Sequence, residues 1–151
     1  RRFYGLALYV GGVRALVVFA GSGAVFLEAL SRGAASALAL DMSAAAINSL
    51  RGHLLTLHCE NGQLVNTDAL RYLQQQAVTP FDLVFLDPPF SQGLLLPACT
   101  ALEENGWLAK DAWIYSESEN PPSSLGLPGN WRLHREQKAG QVYYALWQRT
   151  A

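Results

Sequence analysis

At 151 residues, half of them hydrophobic and 15% charged, the chain has the make-up of one globular domain with a real core, which excludes a disordered segment. A formal net charge of −1 excludes an overall electrostatic signature of nucleic-acid binding, so a nucleic-acid substrate would need a local basic face. Cys59 and Cys99 lie far apart without metal-type spacing and read as reduced thiols of a cytosolic protein, and no apolar run approaches membrane-spanning length.

Arg1 to Val13 reads as the end of a helix or an irregular lead-in. Its apolar part, Phe3 to Val10, is broken by Gly5 and followed by Gly11 and Gly12 with no cleavage pattern, so no signal peptide is read. The start at Arg1-Arg2, without methionine, suggests a piece of a longer protein. Ala15 to Ala20 predicts a buried strand, Gly21-Ser22-Gly23 a sharp turn, and Ala24 to Arg32 a helix with Leu27 and Leu30 on one face and a Glu28/Arg32 pair on the other. Gly33 terminates it. Ser36 to Leu40 is a second strand ending at Asp41. Ser43 is a plausible N-cap, after which Ile47, Leu50, Leu54 and Leu57 keep helical spacing.

Leu64 to Asn66 reads as a third strand, and Asp68 as the cap of a helix running through Gln76, with Leu70 and Leu73 inward and Pro80 closing it. Leu83 to Leu86, apolar without a break, predicts a strand buried on both faces. Leu95, Leu96, Cys99 and Leu102 mark a helix starting near Pro97 and ending at Asn105-Gly106. Trp107 to Glu117 holds a fifth strand, and the Pro-, Ser- and Gly-rich stretch Asn120 to Asn130 a surface loop. Trp131 to Lys138, Ala139-Gly140 and Gln141 to Gln148 give a strand–turn–strand signal. Alternating strands and helices argue a doubly wound α/β sheet, mostly parallel, with an antiparallel hairpin at the carboxyl terminus.

Candidate chemistry gathers where strands end. Asp87-Pro88-Pro89-Phe90 leaves the buried fourth strand as a rigid loop, because neither proline donates to a ladder. Asp87 and the Pro88 carbonyl are acceptors suited to an exocyclic amine, and Phe90 offers a face on which a flat base can stack. Read alone, the same four residues are equally a stiff turn with a core phenylalanine. Phe19-Ala20-Gly21-Ser22-Gly23 lets a ligand approach backbone at a helix start, yet Phe26 stands where a dinucleotide fingerprint needs glycine, and no Gly-Lys-Ser/Thr follows.

Asp41, about twenty residues after the glycine turn, can accept from ribose hydroxyls or cap a helix. Asp68 can accept from an adenine amine or act as an N-cap. Together these strand-end residues fit S-adenosylmethionine better than a phosphate-bearing cofactor, since no Lys or Arg lies in the loop. Met42 and Ala69 join the cofactor-binding set as their neighbours.

The same stretches resemble a known family. Phe19-Ala-Gly-Ser-Gly-Ala24, Leu27-Glu-Ala-Leu-Ser-Arg-Gly-Ala34, Asp87-Pro-Pro-Phe90, Glu104-Asn-Gly-Trp-Leu108 and His134-Arg-Glu-Gln-Lys-Ala-Gly-Gln141 are similar to the RsmD family of bacterial 16S rRNA (guanine-N2)-methyltransferases, over nearly the whole chain. The resemblance implies a Rossmann-like class I S-adenosylmethionine-dependent methyltransferase fold acting on small-subunit ribosomal RNA, as a cytoplasmic monomer with no membrane or metal. It implies that Gly21, Ser22 and Gly23 line the cofactor, that Asp41 binds its ribose, that Asp68 lies near its adenine, and that Asp87 and Phe90 hold the target guanine. Two departures stand out. The family usually has an acidic residue at the position of Val17, which bears on cofactor affinity, and a basic segment before Arg1.

Three functions follow from this reading. They are the rRNA guanine-N2 methyltransferase, an amino-group methyltransferase on DNA adenine or protein glutamine, for which Asn-Pro-Pro-Tyr is more usual, and a methyltransferase-fold RNA-binding module without turnover.

Overall fold

The computed structural model describes residues 10–151, so most of the lead-in expected over 1–13 lies outside the described residues. The described chain runs β1 (Arg14–Val18), α1 (Ala24–Ser31), β2 (Ser36–Asp41), α2 (Ala44–Thr56), β3 (Gly62–Asn66), α3 (Ala69–Leu73), β4 (Phe81–Leu86), α4 (Leu95–Glu104), β5 (Leu108–Ser118), a 3₁₀ turn (Pro122–Ser124), β6 (Trp131–Ala139) and β7 (Val142–Arg149). The strands form one sheet in the order β3-β2-β1-β4-β5-β7-β6. β1 to β5 are parallel, and β7 inserts antiparallel between β5 and β6. The expected α/β class and its reversed closing hairpin are both present.

Burial explains the order. β1 and β4 sit at the centre because their side chains are apolar on both faces: Leu16, Val18, Val84 and Leu86 enter one core with α3 and α4, while Val17, Leu83 and Phe85 enter the other with α1 and α2. The order reverses between β1 and β4, the switch point outside which open α/β sheets open a ligand crevice at the carboxyl ends of their strands.

Several boundaries differ from expectation. β1 stops at Val18 because Phe19 turns to φ +64°, so Phe19 and Ala20 belong to the loop. α3 is one short turn ending at Leu73, not a helix through Gln76; Ala77 N–H instead bonds to the Asn105 carbonyl at 2.9 Å, which ties this segment to the end of α4. Leu57 lies beyond α2 and is exposed, not inward. α4 begins at Leu95, two residues before Pro97, with Leu96 turned outward. β5 is interrupted near Asp111 (φ +61°), where its pairing with β4 jumps from Phe81↔Leu108 to Leu83↔Trp113.

The hairpin is fastened to the sheet through Glu103 on α4, which accepts from Arg149 at 3.0 Å, Trp131 Nε1 at 2.8 Å and Asn130 Nδ2 at 3.0 Å. Burial alone would raise this carboxyl, but the hydrogen bonds from Arg149, Trp131 and Asn130 together outweigh it and hold Glu103 below the usual carboxylate range. On the same helix, burial pushes the Cys99 thiol up, so it behaves as a core residue.

Candidate functional site

The carboxyl ends of β1, β2, β3, β4 and β5 bring most of the expected residues to one rim. The turn after β1 is built by three positive φ values, at Phe19 (+64°), Gly21 (+57°) and Gly23 (+84°). Gly23 needs to be glycine twice over: its φ is left-handed, and a Cβ there would overlap Leu50 Cδ2 of α2. The close approach at Gly23 is thus to α2, while Phe26 is fully buried in the core shared with α2.

Asp41 clamps this turn. Its Oδ2 accepts from the Gly21 N–H at 2.8 Å, and its Oδ1 from the Ser43 N–H at 2.9 Å. The helix-capping alternative for Asp41 falls away, because the N-cap of α2 is Ser43, whose Oγ accepts from Ala46 N–H at 3.1 Å. Asp68 does cap α3, accepting through Oδ1 from the N–H groups of Leu70 (3.0 Å) and Arg71 (3.4 Å). Asn66, not singled out from sequence, donates from Nδ2 to the carbonyls of Asp41 (3.1 Å) and Met42 (2.9 Å), which ties the ends of β2 and β3 together.

Three cavities follow one another along this rim. The first, about 180 Å³, is lined by Phe19, Asp41, Met42, Asp68, Ala69, Leu70 and Leu94. It offers two carboxylates and otherwise apolar walls, with no Lys or Arg among those lining residues. A ligand with hydroxyl or amine donors and a flat apolar face fits these two acceptors, and a pyrophosphate does not. Gly21, Ser22 and Gly23 are not among its walls; they stand at the turn beside it, with Ser22 Oγ accepting from Ala24 N–H at 3.4 Å.

The second cavity is small, about 20 Å³, and includes Val17, Phe19, Ala20, Asp87, Tyr115 and Glu117. Val17 is buried there, so an apolar side chain occupies this part of the wall, where the resemblance leads to the expectation of an acid. The third, about 250 Å³, lies between Pro88, Pro89 and Phe90 on one side and Glu117, Ser118 and Glu119 on the other. Glu117 borders the second and third cavities, and Leu94 the first and third, so the three adjoin.

Phe90 is 46% exposed and therefore not the core phenylalanine of the stiff-turn reading. Glu117 and Glu119 were missed in the sequence. Their signal was the one that found Asp41, Asp68 and Asp87, an acidic residue at the end of an apolar strand. Glu117 is buried and its Oε2 accepts from Tyr115 Oη–H at 3.3 Å.

A sequence profile of the family described as Conserved hypothetical protein 95 matches residues 2–148. The chain belongs to this family. It is 48% identical over 149 residues to the Ribosomal RNA small subunit methyltransferase D of Escherichia coli (strain K12), a match covering 99% of this chain and 75% of that protein. It is 40% identical to the protein of the same name from Haemophilus influenzae (strain ATCC 51907 / DSM 11121 / KW20 / Rd), over 97% of this chain and 77% of that one. A solved structure described as a putative methyltransferase yhhF from Escherichia coli superposes with a TM-score of 0.91 at 48% identity, covering 99% of this chain and 82% of that chain. The RsmD resemblance is thereby borne out, and with it the methyltransferase fold.

Proposed function

We propose that this protein transfers a methyl group from S-adenosylmethionine to the exocyclic N2 amine of a guanine in small-subunit ribosomal RNA. The observation that carries the reading is the position of Asp87-Pro88-Pro89-Phe90. Asp87 borders the 20 Å³ cavity at the glycine turn, and the next three residues border the 250 Å³ one, so the motif stands between the glycine turn and a space large enough for a base. The names borne by relatives at 40–48% identity favour RNA over DNA or protein as the acceptor.

When bound, the cofactor supplies an electrophilic methyl group. The chain's own residues do the rest. Asp41 and Asp68 present acceptors to donors of the cofactor, and Phe19, Met42, Ala69 and Leu70 give it an apolar bed. Gly21, Ser22 and Gly23 hold the turn beside it. The guanine amine is a weak nucleophile because its lone pair is delocalised into the ring. Asp87 and the Pro88 carbonyl accept from its two N–H bonds, which aims the lone pair and favours positive charge as it grows on nitrogen. The base must leave its stack to reach them, and Phe90 then provides the stacking face.

A second reading, an RNA-binding module without turnover, draws on Val17, whose side chain places no carboxylate in the wall of the small cavity. The test is tritium transfer from labelled S-adenosylmethionine to 30S particles lacking the mark, followed by nucleoside digestion. Label in N2-methylguanosine with wild type, and none with Asp87→Ala at unchanged cofactor affinity, is expected. Cofactor-independent RNA binding without label would favour the module.

A further inference from the structure

Phe90 is nearly half exposed, so its ring is not pinned by the core and its place depends on the backbone that carries it. That backbone is unusual. Pro88 and Pro89 offer no N–H groups, and Ser91 lies at φ +64°, a left-handed conformation that a residue with a side chain keeps only when something holds it. What holds it comes from across the large cavity. Glu119, one residue past β5, accepts from the Ser91 N–H at 2.9 Å through Oε1 and from Ser91 Oγ–H at 3.3 Å through Oε2. Both carboxylate oxygens engage one residue 28 positions away, where an ordinary exposed glutamate would simply be solvated.

We propose that Glu119 is a positioning residue for methyl transfer, clasping Ser91 so that Phe90 is held at a fixed distance from the end of β5. The clasp joins the two walls of the 250 Å³ cavity: Pro88 to Ser91 on one side, residues 117 to 120 on the other. Without it, the positive φ at Ser91 relaxes and the wall carrying Phe90 swings away from its partner. The inference rests on the methyltransferase reading above, and Glu119 touches neither the methyl donor nor the amine in it. Glutamine at this position keeps a carbonyl acceptor for the N–H and an amide donor for Oγ, so it preserves the clasp while removing the charge.

The experiment compares the full chain with Glu119→Ala, Glu119→Gln and Ser91→Ala. It reads amide exchange at Ser91 by NMR, S-adenosylmethionine affinity by calorimetry, and kcat and KM on 30S particles. Glu119→Ala is expected to speed exchange at Ser91 and to lower kcat/KM for RNA, each by about tenfold, with cofactor Kd within about twofold of wild type. Glu119→Gln should stay close to wild type in all three, and Ser91→Ala, which loses one of the two bonds, should fall between. Wild-type exchange and kinetics in Glu119→Ala would overturn the proposal. So would a Glu119→Gln chain as slow as Glu119→Ala with Ser91 still protected, because the charge would then be acting on the substrate directly. A wild-type chain without turnover overturns the methyltransferase reading and the role in transfer with it; Ser91 exchange separates that failure from a failure of the clasp itself.

Discussion

Replacing Asp41 with alanine removes two bonds from the rim, the acceptor for Gly21 N–H at 2.8 Å and the acceptor for Ser43 N–H at 2.9 Å. Both are charge-assisted, a class whose loss costs about 1.5–3 kcal/mol each when the donor is left dry. Asp41 is only partly buried, so water can take over much of that debt in the free protein. In the complex it cannot, because Asp41 walls the 180 Å³ cavity and is the proposed ribose acceptor. The expected loss is therefore about 1.5–3 kcal/mol of S-adenosylmethionine affinity, or roughly ten- to a hundredfold in Kd. Asp41→Asn retains one oxygen acceptor for two donors and should fall between.

Calorimetry reads the affinities, and thermal unfolding gives an independent check. At a ligand concentration about a hundredfold above the wild-type Kd, binding stabilises wild type by about 2.7 kcal/mol, whereas a variant weakened a hundredfold gains only about 0.4 kcal/mol. Equal Kd values and equal ligand-induced shifts for wild type and Asp41→Ala would refute the assignment, since the carboxylate would then serve the turn alone.

Gly23→Ala should destabilise the fold by roughly 2–5 kcal/mol, the sum of left-handed strain and overlap with the fully buried Leu50, read as a drop in denaturant midpoint at constant slope. Phe90→Ala should leave the unfolding midpoint nearly unchanged, because the ring is half exposed, while weakening RNA binding by about 1–3 kcal/mol in a filter assay. The depressed Glu103 carboxyl makes a pH-dependent contribution: its stabilisation is fully present above the unfolded-chain value near 4.5 and is lost as pH falls through the lower folded value. Denaturation across that acid range should show a steeper loss for wild type than for Glu103→Gln. If RNA lies on the hairpin face carrying Arg132 and Arg135, two fixed cations give a salt slope no steeper than about −2, and Lys138→Ala should leave it unchanged in a titration series.

The fold was legible because its central strands declare themselves. Val84 to Leu86 and Leu16 to Val18 are apolar on both faces, which only a sheet covered by helices on both sides accommodates. The closing hairpin was legible from Ala139-Gly140 between two β-rich runs. What escaped was whatever depends on distant partners. Nothing in Asp68 to Gln76 announces that its helix ends at Leu73, because the competing bond, from Ala77 to the Asn105 carbonyl, comes from nearly thirty residues away. Glu119 carried the right signal, but its meaning needs Ser91, and the left-handed φ of a serine after two prolines cannot be read locally.

The basic residues of the hairpin show the same limit most sharply. Strict alternation along β6 would set Arg132, His134, Glu136 and Lys138 on one face and Arg135 on the other. The pairing slips between Leu133 and Arg135, so Arg132 lies opposite Gln148, Arg135 opposite Leu146, and Lys138 opposite Tyr143. Leu146 faces the core of α1 and α2 whereas Tyr143, of opposite parity, faces the other way. The bulge at His134 therefore unites Arg132 with Arg135, beside the Trp113 ring that His134 meets edge-on at 5.0 Å, and sends Lys138 to the far face. One extra residue decides which cations can act together on a phosphate backbone. The count of basic residues in the tail thus overstates the charge that any one face of this hairpin can offer to RNA.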